Sequence, residues 1–129
     1  MSKECPFCVI IKNESIDRII NQNDLAIAIR DGFPLSRGHT LIIPKRHIGS
    51  FFEITIEERN ALLSLLDSAK KILDNEFKPD SYNIGINDGK EAGQTVPHLH
   101  VHLIPRYQGD MDDPRGGVRW IFPDKAKYW

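Results

Sequence analysis

No apolar stretch of this sequence approaches the roughly 20 residues that a membrane-crossing helix needs, so a spanning segment is not expected. Charge of one sign is not in surplus either. The net charge is −1 with the histidines neutral, and a chain without a positive field is poorly suited to holding nucleic acid through its phosphates. The opening residues, MSKECPFCVI, lack the long apolar run and small-residue cleavage site of a secretory leader, which points to a cytoplasmic protein. Cysteine is scarce: two residues are too few for a disulfide scaffold, and in a reducing compartment they are expected to be reduced, metal-bound or catalytic. Internal repeats and low-complexity tracts are absent, and 129 residues suit a single domain that buries its core unaided.

What the sequence does have is GQTVPHLHVHLIPRY, where three of the five histidines, His98, His100 and His102, occupy every second position of an apolar run. Successive side chains of an extended strand point to opposite faces, so the three imidazoles share one face while Leu99, Val101 and Leu103 share the other and pack inward. A core has no use for three imidazoles in a row, because each brings a donor and an acceptor that must be satisfied away from water. The row asks for a ligand.

The rest of the chain reads as an α+β arrangement, an antiparallel sheet carrying one long helix. Leu25 to Ile29 and Thr40 to Ile43 form two strands divided by the turn-rich DGFPLSRG. Thr55 and Glu58 make a capping box, Pro79 lies past the far end, and Leu62, Leu65, Leu66, Ala69, Ile72 and Leu73 recur at helical spacing between them. SYNIGI alternates Tyr82, Ile84 and Ile86 with the small or polar Asn83 and Gly85, and is expected to pair with the histidine strand. The final residues, rich in Gly, Pro, Arg and aromatics, read as a tail laid across a surface.

Imidazole is both a nucleophile and an acid/base near neutrality, so a row of three on a rigid strand can attack phosphorus and hand on a proton. Phosphoryl transfer depends chiefly on positioning and electrostatics, and the donors of Asn87, Gly93, Gln94 and Thr95 just ahead of the row suit phosphate oxygens. Zinc is the competing reading, since histidines two apart on a strand can share one metal. Cys5 and Cys8 form a C-x-x-C that can hold two thiolates on one Zn²⁺, though two buried thiols would look the same. A thioredoxin-like redox role wants a βαβ setting that this segment lacks. Asp31 lies in a turn, where aspartate is common for its geometry alone. Trp120 and Trp129 in the tail are suited equally to covering a nucleotide and to covering core.

The stretch His98 to Ile104 matches His-φ-His-φ-His-φ-φ, with φ apolar, and with RDGFPLSRGHTLIIPKRHI and INDGKEAGQTVPHLHVHLIPRY the chain resembles the histidine triad superfamily of nucleotide hydrolases and transferases over most of its length. The resemblance implies a five-stranded antiparallel sheet with one long helix and a short N-terminal helix, residues 1–129 as one domain, a homodimer joined through the long helix and a strand edge, and no organic cofactor. It makes His100 the nucleophile that forms a nucleotidyl-histidine at the α-phosphate. His98 holds the ring from behind, His102 contacts the phosphate and the departing oxygen, and His39 supports the nucleophile's surroundings. It assigns Asn87, Gly93 and Thr95 to phosphate, Asp31 to the ribose hydroxyls, and Phe7, Ile10 and Ile29 to the walls of a purine pocket. Some members complete a structural zinc site with a histidine after the second strand and the first histidine of the triad, here His47 and His98 beside Cys5 and Cys8.

The branch is less clear-cut. NDGKEAGQTV and LIPR resemble the fragile histidine triad branch, which hydrolyses dinucleoside polyphosphates, whereas IIPKRHI and Asp31 resemble the nucleoside phosphoramidase branch. A polyphosphate leaving group wants basic residues beyond the α-phosphate, an amine wants a proton and no such clamp. Arg106, Arg115 and Arg119 on the segments that border that space incline the reading toward dinucleoside polyphosphates such as diadenosine tetraphosphate. A non-catalytic nucleotide-sensing module using the same pocket is the reading from another class.

Overall fold

The computed structural model describes residues 4–129; Met1–Lys3, part of the stretch read above for a leader, lie outside the described residues. Helix α1 (Pro6–Asn13) is followed by strands β1 (Ile19–Gln22), β2 (Ala26–Arg30) and β3 (Thr40–Pro44), helix α2 (Ile56–Phe77), and strands β4 (Ser81–Ile86) and β5 (Val101–Arg106). The strands form one five-stranded sheet, every neighbouring pair antiparallel, in the order β1-β2-β3-β5-β4. This is the α+β fold expected, with both helices present. The last strand in sequence lies between β3 and β4.

Strands β2 and β3 read as unbroken apolar runs because both of their faces are covered. Ala26, Ala28 and Ile42 point to one side and join Leu62, Leu65, Ala69 and Leu73 of α2 together with Leu99, Val101 and Leu103. Ile27, Ile29, Leu41 and Ile43 point to the other, where Phe7 and Ile10 of α1, three apart on one helical face, cover them. The two alanines let α2 lie close over the sheet. The histidines fall on the α1 side, opposite Leu99, Val101 and Leu103.

The start of α2 is fixed twice over. Glu58 N–H donates to Thr55 Oγ1 at 3.0 Å and Thr55 N–H donates back to Glu58 Oε1 at 2.9 Å, the capping box read from sequence. Arg46 then clamps the same carboxylate through Nε at 3.1 Å and Nη2 at 2.8 Å, and this guanidinium pulls the Glu58 pKa down to about 2. The far end closes on Lys78 in the left-handed conformation, with Pro79 next. No helix among the described residues is long and apolar enough to cross a membrane.

Three features depart from the sequence reading. Strand β1 was not delineated there, because IINQ has no alternation; its pairing with β2 defines it, with an irregularity in register between Ile19 and Asn21. Strand β5 begins at Val101, so His98, in a bend where its N–H donates to the Val96 carbonyl at 2.8 Å, and His100 lie ahead of it. The cause is backbone pairing, since Leu99 N–H donates to the Ile48 carbonyl at 2.7 Å rather than to a sheet neighbour. The alternation of faces survives regardless. Finally, the tail is a folded piece with 3₁₀ turns at Gly117–Ile121 and Pro123–Lys125.

Candidate active site

Hydrogen bonding fixes the tautomers of the triad, because a carbonyl only accepts and a backbone amide only donates. His98 Nε2–H donates to the Pro44 carbonyl at 2.8 Å, which leaves Nδ1 as a lone pair. His100 Nδ1–H donates to the His98 carbonyl at 2.9 Å, which leaves Nε2 as its lone pair. An imidazole with a free Nε2 and a tethered Nδ1–H is the nucleophilic form. Phe7 meets the His98 and His100 rings edge-on at 5.7 and 5.1 Å between centroids and seals them from the α1 side.

His39, on the approach to β3, receives the Leu35 N–H at Nδ1 at 3.0 Å, so its proton sits on Nε2. That Nε2–H faces His102 Nδ1 at 2.9 Å and Asp31 Oδ2 at 3.3 Å. His102 Nδ1 is thereby an acceptor and its Nε2–H a donor toward the site. Asp31, His39 and His102 also cluster closely enough to suggest a metal. The tautomer argues against one, since His39 would have to offer the nitrogen that carries its proton. Asp31 is turned inward to this pair, its Oδ1 accepting the Phe33 N–H at 2.8 Å.

The free Nδ1 of His98 belongs to a second constellation. Cys5 Sγ lies 3.5 Å and Cys8 Sγ 3.6 Å from it, His47 Nδ1 lies 3.2 Å from it, and Cys8 Sγ lies 3.4 Å from His47 Nδ1. Tetrahedral Zn²⁺ with bonds of about 2.3 Å to sulfur and 2.0–2.1 Å to nitrogen requires S···N edges near ~3.5 Å and N···N edges near ~3.3 Å. The residues fit the ion. The Pro44 carbonyl, by holding the remote N–H of His98, is the outer partner that such a ligand needs.

Other residues singled out from sequence are distributed unevenly. Asn87 joins His102 on the wall of a cavity of about 740 Å³ between the β4–β5 face and the tail. Gly93 caps a short 3₁₀ turn at φ +95°, near the Asn87 amide. Gln94 has its amide committed to the loop itself, donating to the Gly49 and Val96 carbonyls and accepting from Gly89 N–H. Thr95 borders the surface hollow beside Cys5, Cys8 and His47. Phe7, Ile10 and Ile29 are buried together in the α1-side core. Arg115 pairs with Asp113 and stacks on Trp129, and Arg119 donates to the Ala126 and Lys125 carbonyls, so neither lines the cavity. Sequence reasoning missed the Pro44 carbonyl, the Leu35 amide and Gly85 across from His102. Of these only Gly85 left a signal, the small polar face of β4.

Burial pushes His39 and His102 below the ordinary histidine pKa, and for His102 the charges of His100 and His39 add to it, both against an opposing pull from Asp31. Groups with lowered folded pKa values bind fewer protons folded than unfolded. Their full stability contribution is therefore present above the ordinary value of about 6.5 and is lost as pH falls below it. The thermal midpoint is expected to drop between about pH 7.5 and about pH 5.5, and a His39→Asn variant to drop less over that interval. Equal slopes in the two proteins would exclude His39 as a source.

Comparison with known proteins shows the family. Residues 12–109 match the HIT domain family. An uncharacterized HIT-like protein of Methanocaldococcus jannaschii is 38% identical over 108 residues, 82% of this chain and 81% of that protein. The asymmetrical bis(5′-nucleosyl)-tetraphosphatase of Schizosaccharomyces pombe is 34% identical over 96 residues, 74% of this chain but 53% of that protein. The crystal structure of a zinc-bound histidine triad family protein from Mycobacterium smegmatis matches with a TM-score of 0.75 at 34% identity, covering 83% of this chain and 78% of that one. With the triad, the fold and most of the chain accounted for, the protein belongs to the HIT superfamily, whose members include nucleotide hydrolases and transferases.

Proposed function

We propose that the protein is a nucleotide hydrolase or nucleotidyl transferase that cleaves at the α-phosphate through a covalent intermediate on His100. The observation that carries this reading is the His100 tautomer, with Nδ1–H tied to the His98 carbonyl and Nε2 free. Nε2 attacks the α-phosphorus and the bond to the leaving group breaks, its electron pair departing with the leaving atom. His102 Nε2–H steadies that atom by a hydrogen bond, and an amine leaving group takes its proton from water. Water then attacks phosphorus, the Nε2–phosphorus bond breaks, the water proton passes to solvent, and His100 is restored.

Two leaving-group classes come into question. Dinucleoside polyphosphates, diadenosine tetraphosphate among them, follow from the loop resemblance and from the S. pombe relative. Purine nucleoside phosphoramidates are favoured by one specific observation: Arg115 and Arg119 are occupied within the tail, and Arg106 is paired with Asp110. In the nucleotide half, Asp31 would serve the ribose by turning one oxygen from His39, and Asn87, Gly93 and Thr95 with their loop would meet phosphate. Gln94 would act by bracing that loop. Phe7, Ile10 and Ile29 would back the base rather than enclose it. Replacing His100 with alanine is expected to lower kcat on adenosine phosphoramidate or diadenosine tetraphosphate by at least about 10³-fold, with AMP affinity changed by less than about fivefold. Near-normal turnover of either compound by the variant excludes the intermediate.

A zinc ion held by Cys5, Cys8, His47 and His98 is part of the same proposal, supplying structural crosslinking when bound. It would tie α1 to the rear of the triad, so that residues 1–129 act as one domain, and a cytoplasmic location would keep the thiols reduced for it. Protein purified without chelator is expected to carry about one zinc per chain and the Cys5→Ser, Cys8→Ser double variant close to none. Equal zinc in both rules the site out.

A homodimer is proposed from the exposed apolar edge. Ile84 is 52% and Ile86 36% exposed on the edge strand β4, and Leu63 is 55% exposed on α2. An apolar edge strand invites pairing with a second copy. Sedimentation equilibrium is expected to give near twice the 14.8 kDa chain mass, falling to one with Ile84→Lys, Ile86→Lys. A wild-type monomer at micromolar concentration refutes it.

A further inference from the structure

The cavity beside His102 extends beyond the two wall residues, His102 and Asn87, to which a role has been given so far. Its volume, about 740 Å³, is within the usual range for small-molecule sites. Its floor is the β4–β5 face, where His102, Ile104 and Arg106 follow one another on one side of β5 over a reach of about 13 Å at ~3.3 Å per residue. Its roof is the tail, which lies beyond the family match at residue 109. That roof is built rather than draped. Trp120 Nε1–H donates to the Arg115 carbonyl at 2.9 Å, Arg119 is fastened to two carbonyls, and Arg115 and Arg119 sit over the rings of Trp129 and Tyr128 at 4.5 and 4.9 Å. Gly117, at φ +45°, brings the tail backbone so near Asn83 that a Cβ there would lie 3.3 Å from its amide nitrogen.

Two observations say what the space suits. The first is charge: among the described residues lining it, Arg106 is the sole cation and Asp110 the sole anion. Arg106 gives Nε and Nη2 to Asp110 at 2.9 and 2.8 Å and Nη1 to Asn83 Oδ1 at 2.6 Å. No cation is left for a polyphosphate chain, whereas Ile104, Met111, Val118 and Trp120 offer apolar and aromatic surface. The second is Gly85, directly across from His102 in the β4–β5 register. Its backbone is not left-handed, and a Cβ there would meet nothing within 4 Å. A glycine that neither the backbone nor the packing requires weakens a strand, and close approach of a ligand is a reason to have one.

We propose that this cavity is the subsite for the departing half of the substrate and that it selects an uncharged aromatic body, with Gly85 and Trp120 as specificity determinants. The inference rests on the nucleotidyl-transfer reading above, in which the departing atom lies at His102 Nε2–H, so that whatever is attached to it extends from His102 under the tail. Aromatic rings on the leaving group gain from burial against Trp120 and the aliphatic wall. A side chain at position 85 projects into the same space.

The test compares two adenosine phosphoramidates that share the nucleotide half, one releasing ammonia and one releasing 2-phenylethylamine. Wild-type protein is expected to favour the aromatic amide by at least about tenfold in kcat/KM, and Gly85→Val and Trp120→Ala each to bring that ratio to within about threefold of one. The same two ligands titrated calorimetrically into His100→Ala protein, with and without Gly85→Val, read the subsite without turnover. A wild-type ratio near one, or variants that leave it unchanged, overturns the proposal. So does equal affinity of the two ligands for the His100→Ala protein. If neither amide is hydrolysed yet the aromatic one binds more tightly and Gly85→Val abolishes the difference, the subsite stands and the hydrolytic reading fails.

Discussion

The arrangement depends on a backbone carbonyl. Pro44 ends β3, and its oxygen takes the Nε2–H of His98. That bond decides which nitrogen of His98 faces the cysteines, and it anchors the peptide whose own carbonyl holds His100. His100 and the Cys/His cluster are therefore not neighbours by coincidence. A single buried ring serves one with its side chain and the other with its main chain. Burial pushes the His98 pKa down, against the Pro44 bond, and this favours the neutral ring.

A parallel device operates at His102, where the Leu35 amide sets the tautomer of His39 and His39 sets that of His102. Both devices draw on backbone groups at strand ends, whose positions the sheet determines. The covering of β2 and β3 on two faces gives those ends their rigidity. Preorganised donors and acceptors of this kind need no rearrangement when charge moves, which is where electrostatic catalysis gains most.

Much of this was legible in sequence. The capping box at Thr55 and Glu58 identified the start of α2, two apolar runs identified β2 and β3, and the alternation from His98 to Leu103 separated the histidine face from the core face. What escaped was decided by contacts distant in sequence. Strand β1 carries no pattern of its own. The beginning of β5 depends on Ile48, fifty-one positions before Leu99. Gln94 looked like a free amide until its loop closed around it, and Arg115 and Arg119 looked like phosphate clamps until the tail folded them against its own carbonyls and rings. Propensity describes how a segment prefers to lie, and side chains with many donors are allotted only once tertiary neighbours arrive.

The position of β5 in the sheet also orders events during folding. His39 and His102 are 63 positions apart, and β5 must enter between β3 and a β4 that precedes it in the chain. Strands β1, β2 and β3 and helix α2 can associate through contacts close in sequence, but the sheet lacks its fourth and fifth members until the helix has crossed over and residues 81–106 have followed. Closing so long a loop is slow relative to local pairing, because its entropy is lost before the contacts form. During that interval Leu41, Ile42 and Ile43 present an unpaired apolar edge, and the histidines face no partners. Docking of β5 thus covers the apolar edge of β3 and completes the histidine cluster in one step.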